Sequence, residues 1–155
     1  NEPSFHIPYL YNFTNSPWKT QKKIRMLLNT WFKDNIFGIP GDEDGGGMSA
    51  FVVFSAMGFY PITPGIPAYT IGSPLFSKVT INLPNGKKFI VNAPNCSETN
   101  KYVQKVFING KEIDRLWFTH NDIINGGIIT LEMGKYPNKQ LANKDSSIFK
   151  VFNIK

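Results

Sequence analysis

The sequence predicts an α+β protein whose helices precede its strands: residues 1–64 helical, residues 65–155 an antiparallel β region. Three observations carry that expectation. An apolar stripe of helical period runs from Ile24 to Phe32, a proline-rich stretch from Phe59 to Pro67 interrupts the chain, and Asn-Gly turns then punctuate alternating apolar residues. With 155 residues, 41% of them hydrophobic, the chain can bury one ordinary core or two small ones.

In the first half, Ser16-Pro17 reads as a helix start, Ser as N-cap and Pro at N1, where a missing N–H costs nothing. Ile24, Leu27, Leu28, Trp31 and Phe32 fall at i, i+3, i+4, i+7 and i+8, so one face is apolar, and Lys19, Lys22, Lys23 and Arg25 decorate the other sides. Phe37-Gly38 and Pro40-Gly41 break this helix. A second helix is expected from about Met48 to Met57. Its residues leave almost no polar face, so it should be buried all round, with Gly58 as a left-handed C-cap. The stretch Phe59 to Pro67 (FYPITPGIP) is too proline-rich for a regular element and marks the boundary.

In the second half, Val79, Ile81 and Leu83 alternate with polar residues, and Pro84-Asn85-Gly86 turns the chain back into Phe89 and Val91. Asn109-Gly110 joins a strand at Tyr102 to Ile108 with one at Glu112 to Phe118, and Asn125-Gly126-Gly127 precedes a strand at Ile128 to Met133. Gly134 to Ser147 is polar and reads as loop, and Ile148 to Lys155 as a last strand or tail. His120 reads as a strand-end or turn residue.

Several function classes are disfavoured. No run of eighteen apolar residues exists, so no transmembrane helix is expected. The opening NEPSFHIPYLYNF has neither a basic n-region nor an apolar h-region, and it lacks Met, so a fragment or processed product is expected. Cys96 stands alone, which rules out an internal disulfide and a cysteine-based zinc site. The net charge is +6, yet the lysines are dispersed and accompany no nucleic-acid-binding motif, so no nucleic acid is expected as a partner. Asn12-Phe13-Thr14 and Asn95-Cys96-Ser97 are formal glycosylation sequons, meaningful only in a eukaryotic secretory context.

The chemistry concentrates in GIPGDEDGGGMSAF (Gly38 to Phe51), three consecutive acids and three consecutive glycines in a basic chain. An EF-hand does not fit: with Asp42 at position one, position five is Gly46 and position twelve is Val53. A phosphate loop does not fit either, because no Lys-Ser/Thr follows the glycines. Two readings stay open. One carboxylate can cap the following helix and meet its dipole, or Asp42 and Asp44, two apart in a loop, can form a pair in which one holds a water and the other orients it. Ser49 has no nucleophile motif around it, and His6, among apolar residues, reads as a structural histidine ahead of a ligand.

Taken together, NEPSFHIPYLYNF, PWKTQ, GDEDGGGMSAFVVFSAMGFYPITPG, YTIGSPLF and the later NG and GG strands resemble the C-terminal part of the glycoside hydrolase family 92 α-mannosidases, from Asn1 to about Asn138. The resemblance implies a calcium-dependent, exo-acting, inverting α-mannosidase, of α-1,2 type, that removes terminal mannose from glycans. It also implies an N-terminal β-sandwich and an (α/α)6 barrel, of which residues 1–64 would be the last helices and residues 65–155 the C-terminal β region. By similarity, Asp44 is the general base, Asp42 its assistant and Glu43 a bystander; Glu2 and His6 contact the sugar, and Asp44 and Glu2 the Ca2+ ion. The general acid would lie upstream of the NEP segment, so the isolated chain should be inactive, its partners being mannose-containing glycans and the rest of the parent enzyme. The setting implied is secreted, periplasmic or cell-surface. Many family members carry Gln at the position of Gly47 and Trp at that of Phe51, and loss of that Gln removes a polar contact near the metal or sugar. The competing reading is a non-catalytic carbohydrate-binding or assembly module, whose binding would rest on exposed aromatics such as Trp117.

Overall fold

In the computed structural model, which describes residues 1–142, helices come first and strands follow, as the pattern predicts. Two 3-10 helices, Glu2–Ser4 and Ile7–Phe13, lead into α1 (Trp18–Trp31). Ser16 starts α1 through its backbone carbonyl, which accepts from Lys19 N–H at 2.9 Å, and no side chain caps this end. The helix ends at Trp31, before either predicted breaker, because Phe32 turns extended. A third 3-10 turn, Asp44–Gly46, feeds α2 (Gly47–Met57), which stops at Gly58 with φ of 100°, as a left-handed C-cap requires. Burial of α2 is not all round. Met48, Phe51, Ser55 and Ala56 face inward, whereas Val53 is 56% exposed.

The β region forms two sheets. β1 (Phe59–Tyr60), β2 (Ala68–Ile71) and β7 (Trp117–Thr119) make a three-stranded antiparallel sheet in that order. The proline-rich stretch is therefore bracketed by strands. Phe59 and Tyr60 pair with Ile71 and Thr70, since their β-forming aromatics precede the first proline. The five-stranded sheet contains β3 (Lys78–Asn82), β4 (Lys88–Asn92), β5 (Tyr102–Ile108), β6 (Lys111–Ile113) and β8 (Gly127–Gly134), in the order β3-β4-β8-β5-β6. Both expected hairpins form. Asn109 and Gly110 turn with φ of 50° and 82°, the pair of positive values a tight type I′ turn needs.

Two details differ from a simple antiparallel region. β8 runs antiparallel to β5 but parallel to β4, a pairing that local turn signals cannot reveal. The single strand expected from Glu112 to Phe118 divides, β6 staying with β5 while β7 crosses to β2. After β7, Thr119 opens a capping box with Asp122 on the short helix α3 (His120–Ile124), so His120 is a helix residue. The expected last strand or tail at Ile148 to Lys155 lies outside the described residues. The two sheets share one core: Phe59 and Phe118 from the first meet Phe89 from the second, at centroid distances of 6.4 and 5.6 Å.

The helical segment is fastened to the β region by buried polar side chains that bond to backbone. Asn12 Nδ2 donates to Ile71 C=O at 2.6 Å, Gln21 Oε1 accepts from Val103 N–H at 3.1 Å, and Arg25 donates to Pro74 C=O and, at 2.7 Å, to Ser97 C=O. Arg25 is 4% exposed, so it does not decorate a solvated face. Each bond satisfies a backbone group that strand pairing leaves unmet. Asn12 is thereby withdrawn from its sequon, its amide nitrogen committed within the fold.

Gln21→Ala strands the Val103 N–H in a dry site, and unfolding in urea is expected to show a loss of about 2 kcal/mol. The solvent-facing Lys22→Ala, one residue along α1, should stay within about 0.5 kcal/mol.

Candidate active site

The acidic loop owes its shape to left-handed backbone. Gly41, Asp44, Gly45 and Gly46 have φ of 80°, 58°, 61° and 103°. Three of them are glycines, which reach that region without steric cost, and Asp tolerates it better than most residues. The turn gives each acid a different surrounding. Glu43 accepts from the N–H of Gly46 and, at 3.2 Å, from that of Ser49, while its carbonyl accepts from Met48 N–H at 3.1 Å. Glu43 therefore caps the Asp44–Gly46 turn and also holds the Ser49 N–H in the first turn of α2. The Ser49 side chain, then the backbone N–H groups of Ser49 and Gly46, hold its carboxyl below the usual glutamate range.

With the cap taken by Glu43, Asp44 turns away from the helix. It is half-buried, and its Oδ2 accepts from Glu2 N–H at 3.3 Å, joining two segments 42 residues apart. Asp42 stands exposed one turn earlier, with no hydrogen bond among the described residues. Glu2 lies across Gly47. A Cβ on Gly47 would come within 3.2 Å of Glu2 Oε1 and 3.1 Å of the Phe5 ring, so the missing side chain lets the Glu2 carboxylate lie down on α2. The backbone of Gly47 is ordinary helix, φ of −62°, so the need for glycine there is spatial. A Gln at this position would have to displace Glu2 or Phe5.

Glu2 and His6 line one open cleft of about 410 Å³, with Phe5, Gly47, Tyr60 and Pro61 among its other walls. The structure thus brings Glu2, His6 and Asp44 into one neighbourhood, and leaves Asp42 beside it without a direct contact. Tyr60, Phe5 and the spatial role of Gly47 are not readable from spacing, because each depends on the NEP segment folding back over α2. His120 bonds instead to the Tyr69 hydroxyl at 3.0 Å.

Calcium takes six to eight oxygen ligands. Among the described residues no three His, Cys, Asp or Glu side chains are grouped closely enough to hold a metal. The oxygen donors of Glu2 and Asp44 suit calcium in kind, and a full shell needs further oxygen ligands beside them. Trp117, the expected anchor of a separate carbohydrate-binding surface, is 5% exposed beneath the Arg115 guanidinium, 4.6 Å from its ring.

Comparison with known proteins gives a concordant result. Residues 1–135 match the glycosyl hydrolase family 92 catalytic domain. A protein of the fungus Arthroderma benhamiae described as an uncharacterized secreted glycosidase is 38% identical over 138 residues, 87% of this chain and 18% of its own length. Among solved structures, a family GH92 α-mannosidase of Bacteroides thetaiotaomicron in complex with mannoimidazole superposes with a TM-score of 0.89 at 37% identity, over 96% of this chain and 20% of that one. An inverting family GH92 mannosidase of the same bacterium gives 0.87 at 44% identity, over 93% of this chain and 20% of that one. The chain thus spans about a fifth of the length of these relatives.

The Glu43 cap carries a pH signature. Its carboxyl is lowered on folding, so its stabilisation is complete above the ordinary glutamate value of about 4.3 and is lost as pH falls below that through the folded value. Amide exchange at Gly46 and Ser49 should accelerate over this acid range beyond the intrinsic trend. In Glu43→Gln that acid-side step should vanish.

Proposed function

The chain belongs to glycosyl hydrolase family 92, and from that premise we infer that it is the C-terminal part of an exo-acting, inverting α-mannosidase that removes terminal mannose, of α-1,2 linkage, from glycans. The observation that carries this reading is the Asp44 to Glu2 contact, which joins the acidic loop to the NEP segment at the rim of an open cleft. Inverting hydrolysis needs a carboxylate that activates a water on one face of the sugar and a carboxylic acid across from it, with room for the water between them. Asp44 is the base. Glu43 rather than Asp44 answers the helix N-terminus, which leaves the Asp44 carboxylate available to a water. Asp42, exposed and unbonded among the described residues, assists by orienting that water. Glu2 and His6 contact the sugar from the wall of the cleft.

Asp44 and Glu2 would contribute oxygens to a calcium ion, which when bound supplies a positive template for sugar hydroxyls and ring distortion. The general acid and the remaining ligands belong to the longer parent, whose barrel residues 1–64 complete and whose C-terminal β region residues 65–155 form. The exposure of the large apolar side chains Trp31, Ile36, Phe37 and Val53 in the helical segment supports this assignment, since such residues are covered in a barrel. A secreted or cell-surface parent fits the fungal relative's description.

Asp44→Asn in the full-length enzyme is expected to lower kcat on an α-mannoside by about 10²- to 10⁴-fold with an unchanged circular dichroism spectrum. Near-normal turnover would remove Asp44 as the base. The isolated 155-residue chain should release no mannose, and hydrolysis by it would overturn the assignment of the acid to the missing part.

A further inference from the structure

Two tyrosines stack beside the cleft, and only one of them has its hydroxyl engaged by another side chain among the described residues. Tyr9 and Tyr60 lie 5.3 Å apart with rings 16° from parallel. Tyr9 is fully buried, and its hydroxyl shares a hydrogen bond of 2.9 Å with Ser55 Oγ. Tyr60 is half-buried, and its hydroxyl has no hydrogen-bond partner among the described residues. Its ring cannot swing to find one. Phe51 and Phe54 meet it edge-on at 5.5 and 6.1 Å, and Phe5 closes the cage at 6.4 Å. Tyr60 lines the open cleft, and its hydroxyl is not one of the buried polar atoms left without a partner, so it is accessible to a ligand there.

We infer that Tyr60 is a further sugar-binding residue of this cleft, its fixed phenolic hydroxyl donating to one hydroxyl of the bound glycoside while the Glu2 carboxylate, on the same wall, accepts from the neighbouring one. A donor and an acceptor side by side match a vicinal diol, in which each hydroxyl can both give and receive. Burial, and then the Glu2 charge, raise the Tyr60 phenol above its ordinary value, so it stays a donor throughout the neutral range. Its raised proton affinity adds nothing to catalysis; its role is to select and orient. This assignment rests on the α-mannosidase reading and adds a specificity residue to the same site.

The test is Tyr60→Phe in the full-length enzyme, which keeps the ring cage and deletes one oxygen. On an α-mannoside, kcat/KM should fall about ten-fold, the worth of one neutral hydrogen bond. Against a panel of monodeoxy α-mannosides, the variant and the parent should become equal on one member only, the substrate lacking the hydroxyl that Tyr60 contacts. An unchanged kcat/KM on the parent glycoside would overturn the inference. So would an equal loss on every deoxy substrate, which is the signature of packing. Asp44→Asn run in parallel separates the two claims. If the wild type cleaves α-mannosides and Asp44→Asn does not, a neutral Tyr60→Phe removes Tyr60 alone; a wild type inert to α-mannosides removes both.

Discussion

The placement of the site depends on how α1 is held against the sheets. That joint is polar: Gln21 and Arg25 reach from the helix to backbone groups at Val103, Pro74 and Ser97, and Asn12 reaches to Ile71. Apolar contacts tolerate sliding, whereas a buried hydrogen bond holds one register because the alternative is an orphaned polar group. α1 packs in turn against the 3-10 segment that carries Tyr9, whose hydroxyl is tied to Ser55 on α2. Bolts that fix α1 therefore fix the NEP segment relative to α2, and with it the distance between Glu2 and Asp44.

Within that frame the acidic loop divides labour among chemically similar groups. The N-terminus of α2 offers free N–H groups and a positive dipole end, and one carboxylate is enough to answer them. Glu43 has the longer side chain and folds back over Gly46 and Ser49. Asp44, shorter and in a left-handed conformation, is carried past the helix axis and toward Glu2. The cap reading therefore applies to Glu43, which leaves Asp42 and Asp44 free for the proposed pair.

The sequence made the helix-then-strand order legible, together with α2, its Gly58 cap and both Asn-Gly hairpins, because those features follow from local period and turn chemistry. It misled where long-range pairing decides. Nothing near β8 reveals that it lies parallel to β4, and nothing near Trp117 reveals that β7 leaves its neighbour β6 for β2. Arg25 was illegible for a related reason: a cation on a helix reads as solvated unless its acceptors, more than seventy residues away for Ser97, are known. Motif resemblance pointed to Asp44 and Glu2, but it could not point to Tyr60, whose ring is held by a cage drawn from two separate segments, Phe5 and α2.

The electrostatics of the site argue for its incompleteness as strongly as its apolar faces do. Glu2, Asp42, Glu43 and Asp44 gather near one helix end in a chain of net charge +6, yet among the described residues the salt bridge formed is Lys105 with Glu112, on the five-stranded sheet. The helix terminus compensates one of the four carboxylates, through Glu43. Of the others, Glu2 lines the cleft, and none of the three forms a salt bridge among the described residues. A cluster of carboxylates lowers the free energy of a bound cation, which is compatible with the proposed calcium site. A protein that evolved this cluster only for solubility would have no reason to pin one member in a left-handed turn and lay another across a glycine.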